Sequence, residues 1–174
     1  VSNNFVTGGA QTSARRLLHE LRGRGLSVAA VTIQEHPDQP SEGFAQLKAS
    51  AEIDTFTAPP VQLTNADHTV DAMLDWIHSE RVVFWNVIAE HKVLFAELWR
   101  QGTLFDVSPG EMYFNSLHRY FASPRAEHPV RTARDYGALL DGIVVKYLAE
   151  AQRAQVELGA STHVISNGVT LPQA

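Results

Sequence analysis

The stretch VTGGAQTSARRLLHELRGRGLSVAAVTI, residues 6–33, decides the fold. Two glycines stand directly before a segment in which Ala14, Leu17, Leu18 and Leu21 recur at i, i+3, i+4 and i+7. That is the spacing of a helix with one apolar face. Gly23 and Gly25 supply its stop. The run LSVAAVTI, residues 26–33, is short, uncharged and rich in β-branched residues, as expected of a strand buried on both faces. The glycine pair itself admits two structures: a plain tight turn, or a piece of backbone that a ligand approaches closely.

The alternation continues along the chain. EHPDQPSEG, residues 35–43, carries loop chemistry, and a short strand is expected near residues 53–57. Val70, Met73, Leu74 and Ile77 give the next helical stripe, followed by the strand VVFW at 82–85. A helix is expected over 93–99, a strand over 104–108, a helix over 112–121 and a loop over 122–130. Ala133, Tyr136, Leu139 and Leu140 mark a further helix. GIVVKY (142–147) then reads as strand, LAEAQRAQVEL (148–158) as helix and THVISNGV (162–169) as strand and turn. Apolar strands alternating with helices predict an α/β, Rossmann-like fold, a mostly parallel sheet with helices on both faces. Only residues 1–6 precede the glycines, and Ser2, Asn3 and Asn4 are poor strand formers. The first strand is therefore expected to be missing or shortened.

Composition bounds the function. The chain has 174 residues, of which 44% are hydrophobic and 19% charged, enough for one domain with a real core. Its formal net charge is -5 and no Lys/Arg block stands out, which argues against nucleic acid as partner and allows at most a peripheral membrane association. The chain has no cysteine, which excludes disulfides and thiolate chemistry. No signal peptide is visible, and a cytoplasmic location fits. GxxxxGK[ST], GxSxG and HExxH are all absent, TGGAQTS is not GxGxxG, and the eight histidines show no zinc spacing. No metal is expected.

In open parallel sheets ligands bind beyond the carboxyl ends of the strands. That rule selects Gly8 and Gly9, residues 34–36, residues 86–92, residues 108–111, Lys146 and Tyr147, and Asn167 and Gly168. WNVIAEHK offers Asn86, Glu90, His91 and Lys92, and SPGE offers Ser108, Gly110 and Glu111. Amides and carboxylates hold sugar hydroxyls. The same letters also serve as plain helix starts, with Glu111 complementing a helix dipole. Asn167 and Gly168 fit a turn with positive φ.

GGAQTSARRLLHELRGRGLSVAAVTI (8–33) resembles the opening of family-4 glycosyltransferases, with its glycine-pair loop, leucine-rich helix and following strand. HVISNGVTLP (163–172) resembles the VIPNGVD segment that closes the amino-terminal half of those enzymes. RVVFWN, LFDVSPGEMYF and YGALLDGIVVKY fall where the family places its middle strands, so the resemblance covers nearly the whole chain.

The resemblance implies a two-domain GT-B enzyme. Residues 1–174 would be its acceptor-side amino-terminal domain, and a nucleotide-sugar domain carrying the family's E-x7-E element would follow. The implied reaction transfers a glycosyl group from a nucleotide sugar to an acceptor hydroxyl with retention, using no cofactor and no obligatory metal. Gly8, Gly9, Ala10 and Gln11 would lie across the cleft from the donor diphosphate. Asn86, Glu90, His91, Ser108, Gly110 and Glu111 would line the substrate side. Many members carry a histidine after the middle strands. Here the nearest is His91, displaced from the strand end, while WN and SPGE take those places, so catalytic residues and acceptor stay unassigned. A non-catalytic α/β ligand-binding or regulatory module is the competing class. A receiver module would want an acidic cluster at its first strand ends, which is not evident. A dinucleotide-dependent oxidoreductase is disfavoured by the missing fingerprint.

Overall fold

The computed structural model of the protein describes residues 1–36, 38–60, 64–108 and 110–166. Its elements run α1 (Gly9–Gly23), β1 (Ala29–Thr32), α2 (Glu42–Ala49), β2 (Asp54–Thr57), α3 (Ala66–Trp76), β3 (Arg81–Trp85), α4 (Ala89–Leu98), β4 (Thr103–Val107), α5 (Glu111–Phe121), α6 (Ala133–Gly137), β5 (Gly142–Val145), α7 (Leu148–Leu158) and β6 (Thr162–Val164). The fold is α/β and Rossmann-like, and the named strand pairs are parallel. β1 pairs with β2, and β3, β4, β5 and β6 follow in that order as a second set.

The shortened first strand joins the two sets. Ser2 bridges Thr32 on one side and Trp85 on the other, both in parallel sense. The Ser2 N–H donates to the Val31 carbonyl at 2.9 Å, and the Trp85 N–H donates to the Val1 carbonyl at 2.8 Å. Reading across the sheet gives β2, β1, residues 1–3, β3, β4, β5, β6. The carboxyl ends of all these segments lie at one edge, and the loops that follow them are neighbours.

Side-chain alternation assigns the two faces. Ala30 packs with Phe5, Ala14, Phe44, Leu47 and Ile53 beneath α1 and α2. Its neighbours Val31 and Ile33 point to the opposite face, into the larger core that holds Phe84, Phe95, Leu104, Ile143 and Leu158. Helices therefore cover both faces. The strand expected over 26–33 is shorter, at Ala29–Thr32. The helix α2 falls partly in the expected loop, with Ser41 accepting from the Phe44 N–H as its cap. The turn expected at Asn167 and Gly168 lies outside the described residues. Among the described residues no helix is long and apolar enough to cross a membrane.

The amino group of Val1 sits in the middle of this sheet. It donates to the Val83 carbonyl at 2.8 Å. Burial pushes it down to about 5, against an opposing pull from the Asp106 carboxylate. In the unfolded chain the group titrates near 8, so between these values the unfolded state binds more protons. For the 174-residue chain with a free Val1 amino group, stability should therefore rise as pH rises from 5 to 8, by at most about 1.4 kcal/mol per unit. Urea midpoints measured across that window should show the slope, and acetylation of Val1 should flatten it. An unchanged slope after acetylation would assign the effect to another group.

Candidate functional site at the carboxyl edge

The site is built around the end of the shortened first strand. The Asn3 carbonyl accepts from the Ile33 and Gln34 N–H groups at 3.3 and 2.8 Å. Its side-chain oxygen accepts from the Ile88 N–H at 2.8 Å. One asparagine thus ties together the loops after β1, after β3 and after the first strand. Asn86, immediately beyond β3, adopts φ 56, a left-handed conformation that asparagine tolerates better than most residues. This turn lies two residues before the Ile88 N–H that meets Asn3.

Glu35 fixes the same loop from below. The residue is buried, and its carboxylate accepts from the Phe5 N–H at 2.8 Å, the Ser41 N–H at 2.7 Å and the Ser41 hydroxyl at 2.6 Å. A carboxylate with three donors is a structural anchor. The sequence places Glu35 at the edge, and the structure shows its oxygens occupied.

Above it lies a row of neutral amides. Asn4 donates from its side-chain nitrogen to Gln34 Oε1 at 3.3 Å, and Gln11 Nε2 donates to Asn4 Oδ1 at 3.5 Å. Gly8, Gly9, Ala10 and Gln11 form the start of α1 beside this row. Gly8 is extended, at φ 168 and ψ 156, so no left-handed turn requires it. Around Gly9 nothing would come within 4 Å of an added Cβ. A Cβ at Gly8 would meet Gln11 Oε1 at 2.6 Å, so Gly9 is the open approach to the helix end and Gly8 leaves room for the Gln11 amide.

That helix end is chemically distinct. No side chain caps α1, and its first turn holds no acidic residue. Ser41, Asn65 and Thr132 cap α2, α3 and α6. The uncapped α4, α5 and α7 carry Glu90, Glu111 and Glu150 in their first turns. Among the described residues, α1 is the helix whose positive end has neither a side-chain cap nor a carboxylate beside it.

The other expected residues are placed less centrally. Glu90 binds Arg125, with Nη2 at 2.7 Å and Nε at 3.1 Å, and Arg125 also forks onto Asp67 at 2.8 and 2.9 Å. The hydrogen bond from Arg125 holds the Asp67 carboxyl below the usual range. His91 is buried, and neither ring nitrogen has a partner among the described residues. Burial holds it below the ordinary histidine range. It does not reach the surface of the edge. Ser108 is buried and accepts from the Gly110 N–H at 3.3 Å. Gly110 has φ 124, a conformation that favours glycine. Glu111 is exposed in the first turn of α5, where it complements the helix dipole. Pro109 lies outside the described residues.

Lys92, read from sequence as a residue of the edge, is buried in the core. Its ammonium lies 2.7 Å from Asp106 Oδ2 and 3.8 Å from the centre of the Tyr113 ring. The Tyr136 hydroxyl donates to the same Asp106 oxygen at 2.6 Å. Burial lowers the Lys92 ammonium while Asp106 opposes that shift, and burial raises both tyrosines, with Asp106 adding to it. Nothing in the sequence flags the cluster except a charged Asp106 inside the apolar run LFDV.

No protein-family model, no curated protein and no solved structure matches this chain. Among the described residues no group of three or more His, Asp or Glu is placed to hold a metal ion.

The buried cluster gives a stability test. Removing Asp106 alone leaves a buried ammonium without its partner, so Asp106→Ala should cost about 3–5 kcal/mol. Replacing the polar set together, as Lys92→Met, Asp106→Leu and Tyr136→Phe, should recover most of that loss. Urea unfolding of both proteins measures it. A triple variant as unstable as the single one would mean that packing around Asp106, and not the isolated charge, carries the cost.

Proposed function

We propose that this chain is the acceptor-side domain of a two-domain, GT-B glycosyltransferase similar to family 4. The complete enzyme transfers a glycosyl group from a nucleotide sugar to an acceptor hydroxyl with retention. The observation that carries the reading is the start of α1. It is the open helix end with neither cap nor carboxylate, approached past Gly9 and flanked by the amides of Asn4, Gln11 and Gln34. Free main-chain N–H groups at a helix start attract a phosphate or a developing negative charge. Side-chain amides, each both donor and acceptor, match the hydroxyls of a sugar.

This division of labour has a mechanistic consequence. The edge beside Gly9 is neutral, and Glu35 beneath it is occupied by three donors. The domain therefore holds and orients its substrate without supplying a general base there. Stabilisation of the leaving diphosphate comes from the helix end and from the donor domain. A second domain also suits the rim of this edge. Val6, Met112, Tyr147, Leu148 and Ile165 follow the strand ends and are exposed, Met112 by 68%. Large apolar side chains grouped at one edge mark a surface that another unit covers.

Two outcomes test the proposal. The 174-residue chain alone should show no transfer from a panel of nucleotide sugars, and its junction with a donor domain from the same gene should restore it. In the joined enzyme Gly9→Val should leave the melting temperature unchanged, because the position is open and helical. The same substitution should lower kcat/KM at least about tenfold, equal to about 1.4 kcal/mol of transition-state stabilisation. Full activity of the verified single domain, or an unaffected rate in Gly9→Val, would refute the reading. Binding of a sugar nucleotide without any transfer by the joined protein would favour the binding-module class.

A further inference from the structure

At the opposite, amino end of the sheet lies a cleft of about 900 Å³. It runs between β1 and β3 directly below Val1, with Leu18 and Leu21 of α1 on one side and Trp76 of α3 on the other. The helix above it is poorly covered. Ala14 is the buried residue of α1, and Leu17, on its apolar face, is 37% exposed.

The walls of this cleft are the edges of two strands. In a parallel ladder alternate residues turn their main-chain groups to the same neighbour. Val31 on β1 and Trp85 on β3 already bond to residues 1–2. By the same alternation Ala29 and Val31, together with Arg81 and Val83, direct main-chain groups into the cleft. The Val83 carbonyl is met by the Val1 amino group, in the position a peptide N–H takes in such a ladder.

We propose that the cleft is a strand-receiving slot. Its occupant is an extended apolar segment of about four residues, the length set by a rise of about 3.3 Å per residue, running parallel between β1 and β3 and joined to Val1 by a peptide bond. The register follows from Ser2. The residue immediately before Val1 donates to the Ala29 carbonyl and accepts from the Val31 N–H. The residue before that accepts from the Val83 N–H and donates to the Arg81 carbonyl. Successive side chains alternate between the leucines of α1 and the Trp76 side, both apolar, so both faces of the segment are apolar. A peptide bond at Val1 keeps the hydrogen bond to Val83 while replacing a buried amino group, whose protonated form is costly there, with a neutral peptide N–H. The slot is independent of the glycosyl-transfer reading, because it concerns the strand and not the edge.

Three extended proteins test this against the chain as it stands. One carries four alternating valines and isoleucines before Val1. The second carries four glycines and serines. The third is the Val/Ile extension with proline immediately before Val1, which lacks the N–H that reaches Ala29. Amide hydrogen exchange at Val31 and Val83 and the melting temperature are read for each. The Val/Ile extension should slow exchange at both amides at least about 100-fold and raise the melting temperature. The Gly/Ser and proline forms should lose most of both effects. Equal exchange at Val31 and Val83 in the Val/Ile and Gly/Ser proteins would overturn the proposal, as would full protection in the proline form.

Discussion

Three residues of main chain hold the two halves of this sheet together. Through Ser2, β1 and β3 become parts of one sheet although they do not pair with each other. Backbone groups inside a sheet must find partners, and at the centre those partners are the N–H and carbonyl groups of residues 1–3. The direction of this short segment also decides where the loops go. Because it runs parallel to β1 and β3, Asn3 and Asn4 emerge at the carboxyl edge beside Gln34 and Ile88. A central strand thus places the start of α1 where a ligand can reach it.

The interior uses its charges for position. Glu35 fastens the first loop to α2 through Phe5 and Ser41. Asp106 fastens α4 and α6 to β4 through Lys92 and Tyr136. Arg125 fastens α3, α4 and the loop before α6 through Asp67 and Glu90. Glu35 and Arg125 direct their hydrogen bonds at the protein, and Asp106, whose Oδ1 has no partner among the described residues, is fully buried away from the edge. What remains at the centre of the edge is neutral: three amides and a helix start. Such a surface suits recognition of hydroxyl groups and of an anion, and it contributes orientation more than proton transfer.

Much of the fold was legible because it rests on periodicity. The stripes that produced α1, α3 and α6 and the apolar runs that produced β3, β4 and β5 depend on which side of an element is apolar, and sequence order records that directly. The losses have physical causes. Residues 26–28 look like strand, yet β1 begins only at Ala29, because Leu26, Ser27 and Val28 line the cleft and pair with no neighbouring strand. Helix α2 hides because Pro40, Ser41 and Gly43 carry turn chemistry, while Ser41 in fact caps a helix. At the site, the glycine doublet and Gln11 were visible, but Asn4 was read only as poor strand material. Its pairing with Gln34 spans 30 positions, and no local spacing encodes it. Lys92 and His91 were placed on the edge by their distance from β3. The helical turn that follows rotates both inward.

One strand therefore has a different task at each end. On the proposed function its carboxyl end has to stay open, with Gly9 uncovered and the helix start uncapped, because any side chain that satisfied those N–H groups would also occupy the approach. That openness is destabilising for α1, which also has a thinly covered apolar face. Stability for the helix must come from below, through Ala14 and Leu18 packing on the sheet, and Leu18 also lines the cleft between β1 and β3. One helix of 15 residues thus runs from the carboxyl edge to the wall of the cleft at the amino end. A change at the slot that tilts α1 moves Gly9 and Gln11 relative to Asn4 and Gln34, without touching any residue of the edge itself.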